Sequence, residues 1–360
     1  MKKVIVCVTN DLQTDQRVYK VCQTLFELGY ELLLVGRELP ASAPLNRPYQ
    51  TKRFQLFFNR GFLFYAEYNL RLFLLLLSKK KDIVLANDLD TLLPAYLSCK
   101  FTNSKLVFDS HELFPEIPEL VHRPKVKAVW ESLENFLLPK IQFGYTVSQS
   151  IVDHYQEKYH RKFQLVRNIP IPEAEVAPYT AGILPTSKFI IYQGAVNIGR
   201  GLELMLAALP LLPEFKFVIV GTGDIYTDLQ EHVRASELTH QVVFTGKLAP
   251  TILRSITPQA CVGMSLEEDL GLNYRYALPN KIFDYLHAEI PVIVSDLPEM
   301  KKVVANHGIG EVLQQRTPEQ LALQLRRMVN TDYATNLLRA KKQFSWQREA
   351  AVLGDIFKQL

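Results

Sequence analysis

Lys3-Val4-Ile5-Val6-Cys7-Val8 is a short apolar run rich in valine, and it reads as a buried parallel strand. Residues 16–28 carry Val18, Val21, Cys22, Leu25 and Leu28 at helical spacing, and Gly29 ends that helix. Residues 31–35 form the next strand. Strand, helix, glycine and strand within about 30 residues make one right-handed βαβ unit.

The alternation continues outward from this unit. Residues 82–86 and 105–108 read as strands with a helix over 91–98 between them. Residues 145–147 lead into a helix at 150–159, and 164–166 form another short strand. The texture then changes. Pro170, Pro172, Pro178 and Pro185 interrupt a stretch with neither helical nor strand period, which predicts an interdomain linker over 171–185. A second series follows, with strands at 189–193, 216–220, 242–245, 260–264 and 291–294. Its helices fall at 202–209, 225–234 and 281–287, and 334–360 reads as one terminal helix. The fold class is α/β, with two Rossmann-like, doubly wound domains facing a cleft, over 1–170 and 186–344.

Composition agrees with two globular domains. The chain has 360 residues, 48% of them apolar and 22% charged, which excludes a disordered chain. Cys7, Cys22, Cys99 and Cys261 lie far apart without a CxxC pair, so reduced thiols are expected rather than a disulfide or zinc framework. The run at 4–8 ends too early for a signal peptide. The most apolar stretch, residues 72–77, is far short of the about 20 residues a membrane span needs. A cytoplasmic protein is expected. The net charge of +4 is uneven: residues 1–180 hold 23 Lys and Arg against 19 Asp and Glu, and the remainder is neutral. That excess is too small to argue for nucleic acid. It fits a half that faces an anionic surface. Aromatic and basic residues interleave over 57–65 and 70–81, which suits a peripheral helix at the inner face of a membrane or a partly buried helix with a charged end.

Ligands of open parallel sheets bind at the carboxyl ends of strands, so the residues just after each strand matter most. After the first strand of the second half, Gly194, Gly199 and Gly201 surround Arg200 ahead of a helix. Small residues there let a backbone approach a phosphate, and the helix start and Arg200 favour an anion. Gly221 and Gly223 end the next strand, where either a ligand or a neighbouring loop can come close. Pro279 and Asn280 mark a helix start, with Asn280 as a candidate cap. Lys281 follows, where the dipole disfavours a cation unless it serves an anion, and Asp284 lies one turn on. A nucleoside diphosphate would use both, Lys281 on phosphate and Asp284 on ribose. The alternative is a surface ion pair between them.

In the first half, Asp109-Ser110-His111-Glu112 follows a strand, and such residues hold sugar hydroxyls or move a proton. No second histidine stands at ligand spacing, so no metal is expected. Asn87-Asp88-Leu89-Asp90 follows the preceding strand, with helix capping as the alternative role for either aspartate. Asn10, Asp11, Asp15 and Arg17 follow the first strand, and Asp15 can cap the helix from Gln16.

Taken in order over about 300 residues, these segments resemble GT-B glycosyltransferases, close to the large retaining family 4, group 1. The segments are Phe108-Asp109-Ser110-His111-Glu112, Thr146-Val147-Ser148, Arg167-Asn168-Ile169-Pro170, the loop 194–201, Val220-Gly221-Thr222-Gly223-Asp224, Phe244-Thr245-Gly246, and 278–286 followed by Pro291-Val292-Ile293. Pro-Asn-Lys-Ile-Phe-Asp-Tyr at 279–285 is similar to the subset acting in bacterial surface-polysaccharide assembly.

The resemblance implies a metal-independent, retaining hexosyltransferase. It would need no cofactor and would use a UDP- or GDP-linked sugar as co-substrate with a glycan or polyprenyl-linked acceptor. It implies that Arg200 and Lys281 hold the donor diphosphate, with Gly194, Gly199, Gly201, Gly221, Gly223 and Asn280 around it and Asp284 on the ribose. His111 would face the transferred sugar, with Asn10, Asp11, Asp88, Asp109 and Glu112 on the acceptor side. A terminal helix, 345–360, would return to the first domain. The family's paired acids stand eight residues apart, but the residue eight before Asp284 is Tyr276, while Glu267, Glu268 and Asp269 lie in the preceding loop. Ala195 replaces the family's arginine, and Thr9-Asn10-Asp11 replaces its glycine pair. The departures at Tyr276 and Ala195 favour a non-catalytic binding subunit as one alternative; a sugar-nucleotide epimerase of the same fold, which would bind the same donor, is another. Lys281→Ala is expected to cut turnover and leave the fold intact.

Overall fold

The computed structural model describes every residue except Thr14, Ala41, Pro118, Glu119, Val121, His122, 172–181, Ile183 and Thr186. The proline-rich segment at 171–185 therefore lies largely outside the described residues. The chain forms two compact units, Met1–Asn168 with Gln347–Leu360, and Ile169–Trp346.

The first unit holds a parallel sheet of seven strands: β1 (Lys3–Asp11), β2 (Glu31–Glu38), β3 (Gln50–Gln55), β4 (Ile83–Asn87), β5 (Lys105–Ser110), β6 (Phe143–Thr146) and β7 (Gln164–Leu165). Their order is β3-β2-β1-β4-β5-β6-β7, so the winding reverses between β1 and β4. Residues 4–8 are buried throughout, as a strand covered by helices on both faces requires. Asp15 caps the helix Gln16–Glu27 by accepting from the Val18 amide. The interleaved aromatic and basic stretches, 57–65 and 70–81, share one helix, Gly61–Ser78, with Phe57, Phe58 and Arg60 before it and Lys79, Lys80 and Lys81 after it.

The second unit repeats the plan with six parallel strands: β8 (Phe189–Gln193), β9 (Lys216–Val220), β10 (Val242–Gly246), β11 (Val262–Ser265), β12 (Val292–Ser295) and β13 (Gly310–Leu313). The order β10-β9-β8-β11-β12-β13 reverses between β8 and β11. Alternate residues of β8 feed two cores: Ile190 and Tyr192 join one, Phe189 and Ile191 the other.

The predicted terminal helix over 334–360 is a correction. It is two helices, Ala334–Gln343 and Trp346–Lys358, broken at Phe344 and Ser345. The first packs with the second unit, where Leu337, Ala340 and Phe344 are buried. The other belongs to the first unit, where Glu349 accepts from the Arg167 amide at 2.7 Å.

Candidate active site

In the second unit the carboxyl ends of β8 and β11 flank the start of the helix Asn280–His287. Tyr285 seats that helix. Its hydroxyl accepts from the Gln193 amide at 3.1 Å and reaches the carbonyls of Ile191 and Met264 at 3.3 and 3.2 Å. Its ring lies so close to β11 that a Cβ at Gly263 would meet it at 2.3 Å. The helix is thereby held with its first turn at the sheet edge, and its N-terminal dipole favours an anion there.

Lys281 is buried in that turn. Its Nζ donates to Glu267 Oε1 at 2.9 Å and lies 4.1 Å from the centre of the Tyr192 ring. Arg200 approaches the same oxygen at 3.6 Å and stacks on Tyr274. The Arg200 Nε is buried with no hydrogen-bond partner among the described residues. Glu267 is fully buried and also accepts from Ser265 Oγ at 2.7 Å. Burial alone would raise its carboxyl, but Lys281 and Arg200 outweigh that and hold it below the ordinary carboxylate range. Arg316, just beyond β13, fixes this loop by donating to the Glu267 and Leu266 carbonyls at 3.3 and 3.1 Å. Two cations thus converge on one buried anion, which leaves the cluster with a net positive charge.

Lys281 and Asp284 do not form the surface pair that their spacing allows. Asp284 instead accepts from Gln193 Nε2 at 3.0 Å, and Gln193 Oε1 accepts from Thr257 at 2.9 Å. Asn280 is exposed in the first turn and makes no side-chain cap; Pro279 occupies the cap position. The glycines divide. A Cβ at Gly194 would find Lys281 at an ordinary 3.6 Å, so that loop runs beside the lysine. A Cβ at Gly221 would lie 1.8 Å from the Gly194 carbonyl, and one at Gly223 would strike Asn197 and Val196. Those two admit a neighbouring loop. Gly199 and Gly201 have φ of +76° and +73° and bring the Arg200 turn against the loop that carries Glu267.

The first unit gathers a second polar cluster at the ends of β1, β4 and β5. Asp109 is fully buried and bound by Arg17, with Nε at 3.1 and 3.0 Å from its two oxygens and Nη2 at 2.7 Å. His111, 18% exposed, lies between two aspartates: Nε2 is 3.2 Å from Asp109 and Nδ1 is 3.1 Å from Asp88. Burial disfavours the imidazolium, but Asp88 and Asp109 outweigh it and push the His111 pKa up to about 10. Both ring nitrogens then donate, so His111 is a charged hydrogen-bonding group at neutral pH and not a free base. Arg17 and His111 hold the Asp109 carboxyl below its ordinary value against the effect of burial. Asp109 has no exposed surface to offer an acceptor and serves instead to charge and orient His111.

Asp88 stands at the start of the helix Leu89–Thr102 with φ of +57° and makes no cap bond. Its side chain accepts from the His111 amide at 2.8 Å, and burial pushes its carboxyl up to about 8. Asp90 is buried, accepts from Thr9 at 2.6 Å and is raised by burial to about 7. Asn10 is exposed and donates to Asp15 at 3.0 Å. Asp11 accepts from Ser42 and from the Gln13 amide. Glu112 is half-buried beside them.

Two family models divide the chain at the same place as its two units. Residues 15–170 match Glycosyltransferase Family 4, and residues 187–331 match Glycosyl transferases group 1. The chain belongs to the group 1, family 4 glycosyltransferases. An uncharacterized glycosyltransferase of Methanocaldococcus jannaschii is 24% identical over 190 residues, 49% of this chain, and the chain spans less than half, 46%, of that relative's length. Among solved structures, sucrose-phosphate synthase of Thermosynechococcus elongatus superposes with a TM-score of 0.81 at 15% identity, over 100% of this chain and 99% of that one. Anabaena HepE, in complex with UDP and glucose, does so with a TM-score of 0.76 at 12% identity over the whole of both chains. The GT-B fold follows from these likenesses.

Within this family frame, the site holds residues that spacing alone did not assign. Tyr276 is not an acid, yet the Lys281 and Arg200 cations share a carboxylate from Glu267, one of three consecutive acids. Arg17 stands 92 positions from its partner Asp109, a pairing that only the sheet brings together. Arg316 follows a strand that the apolar pattern does not reveal, and position after a strand is the one signal that could have found it.

Proposed function

We propose that this chain transfers a hexose, with retention, from a UDP- or GDP-linked donor to a glycan or polyprenyl-linked acceptor in surface-polysaccharide assembly. The observation that carries the donor half of this reading is the convergence of Lys281 and Arg200 on buried Glu267 at the edge of the second sheet. A leaving nucleoside diphosphate gains charge as the glycosidic bond breaks, and fixed cations beside a helix N-terminus stabilise that charge. Lys281 and Arg200 take the phosphates, Asp284 the ribose hydroxyls, and the reaction runs without metal. The HepE complex with UDP-glucose supports a nucleotide sugar as the donor class. On the acceptor side, charged His111 presents its partly exposed edge to sugar hydroxyls while Asp88 and Asp109 fix its ring.

The test is a thermal-shift screen against UDP, GDP, ADP, CMP and their sugars, with and without EDTA. A ligand at 100 times its dissociation constant adds about 2.7 kcal/mol. A shift with UDP or GDP that EDTA leaves unchanged is expected. A shift that EDTA abolishes overturns the metal-free reading, and protection by CMP compounds alone overturns the diphosphate assignment.

A further inference from the structure

Gln193 is the last residue of β8, and it grips the helix Asn280–His287 at two successive residues. Its backbone amide donates to the Tyr285 hydroxyl at 3.1 Å, and its side-chain Nε2 donates to Asp284 Oδ2 at 3.0 Å. Gln193 is itself held. Its Oε1 accepts at 2.9 Å from the hydroxyl of Thr257, which stands just beyond the helix Pro250–Ile256. A glutamine amide has one donating and one accepting end, whereas an ionised carboxylate only accepts. Nε2 must therefore turn toward Asp284, and Oε1 toward Thr257. The direction of the whole relay, from Thr257 through Gln193 to Asp284, is thereby fixed.

The three residues differ in access. Gln193 is 4% exposed and Thr257 3%, so neither reaches a bound ligand, while Asp284 is half-buried. Whatever Gln193 adds to binding passes through Asp284. What it adds is orientation. The terminal torsion of an aspartate is broad and two-fold, so the side chain alone leaves the carboxylate plane loose. A charge-assisted bond from a buried amide, itself tied at its other end, settles that plane. The plane matters for a vicinal diol, whose two O–H groups meet one carboxylate only when both of its oxygens lie in line with them. Lys281, one turn earlier on the helix, rests on the ring of Tyr192. Two consecutive residues at the end of one strand thus support the lysine and the aspartate.

We propose that Gln193, backed by Thr257, is a positioning residue that holds the Asp284 carboxylate to engage both ribose hydroxyls of the donor. The consequence is that this chain selects ribonucleotides over 2′-deoxyribonucleotides. The inference rests on the reading that Asp284 takes the ribose.

The experiment is calorimetric titration of the full chain with UDP, GDP and their 2′-deoxy counterparts. A hydrogen bond to a charged group is worth about tenfold or more in affinity. The wild type should hold the ribonucleotide more tightly than its 2′-deoxy form by about that factor. Gln193→Met keeps the length and deletes the amide, and the preference should shrink several-fold. Thr257→Val deletes only the hydroxyl that backs Gln193 and should shift the preference in the same direction. Asp284→Ala is the control and should abolish it, and melting curves check that all three variants fold. A preference that Gln193→Met and Thr257→Val both retain overturns the proposal. So does equal weakening of the two nucleotide forms, which would make Gln193 merely structural; in either case its loss in Asp284→Ala leaves the ribose reading standing. A wild type that binds neither form, or both equally, overturns the ribose reading and the proposal with it, as does a preference that survives Asp284→Ala.

Discussion

The Lys281 ammonium lies 2.9 Å from the Glu267 carboxylate, and both side chains are buried. A cation in the first turn of a helix is opposed by the dipole, so this carboxylate is what makes Lys281 tolerable in the unliganded site. Removing one partner of a buried pair leaves an uncompensated charge and costs about 3–5 kcal/mol. Glu267→Gln should therefore lower the melting temperature of the free protein. Diphosphate would take over the lost countercharge, so the deficit should shrink in saturating UDP or GDP. Melting curves with and without nucleotide decide this; a deficit that nucleotide leaves untouched would remove Lys281 and Arg200 from the phosphate site.

The same pair corrects the expectation that Lys281→Ala spares the fold. Glu267 is fully buried, and losing Lys281 leaves it, among the described residues, Arg200 at 3.6 Å and the Ser265 hydroxyl. Lys281→Met keeps the bulk and deletes the charge. It should reduce stability and cut turnover by about 10²–10³. Lys281→Met with Glu267→Gln removes both buried charges together and should recover much of the stability but none of the turnover. Steady-state kinetics on the two variants, beside their melting temperatures, separates the roles; turnover that returns with stability would make Lys281 structural.

His111 sets a pH dependence of definite sign. Its pKa is raised in the folded chain to about 10, from about 6.5 unfolded. Its contribution to stability is thus complete below about pH 6.5 and is lost as pH rises toward 10. Asp88, pushed up by burial to about 8, is paired with His111, and its contribution declines over its own lower window, from the ordinary carboxylate range near pH 4 up to about pH 8. Asp109 acts oppositely, because its lowered pKa makes its contribution vanish only as pH falls into the acid range. His111→Asn should therefore cost more stability near pH 6 than near pH 10. Thermal unfolding of both proteins at the two pH values measures the difference, and an equal cost at both would show that the ring carries no charge.

Much of this arrangement is legible in sequence because it rests on local pattern. Residues 4–8 and 189–193 announce themselves as buried strands, and the segments that follow each strand are where the polar clusters form. What escapes is set by distance or by faint contrast. The edge strand Gln50–Gln55 buries only Phe54 and has no apolar period. The break at Phe344–Ser345 interrupts an apolar pattern that runs on across it, because the next helix meets a different core. Glu267, Glu268 and Asp269 are alike as a string, and only the path of the chain after β11 turns the first of them inward.

The terminal helix Trp346–Lys358 follows the second unit in sequence yet completes the first. Phe357 is fully buried, its ring edge-on to Tyr30 at 5.7 Å, and its carbonyl accepts from the Tyr30 hydroxyl at 3.1 Å. Leu353 and Ile356 are buried beside it, and Glu349 holds both the amide and guanidinium of Arg167. Phe357→Ala removes a large core side chain and should cost about 3–5 kcal/mol. The loss should fall on one unit, because every one of these contacts lies within Met1–Asn168 and Gln347–Leu360. Limited proteolysis with mass spectrometry reads this directly: faster cleavage confined to residues 1–168 and 347–360 is expected, while the second unit keeps its protection by nucleotide. Uniformly faster cleavage of both units would show instead that the terminal helix supports them jointly.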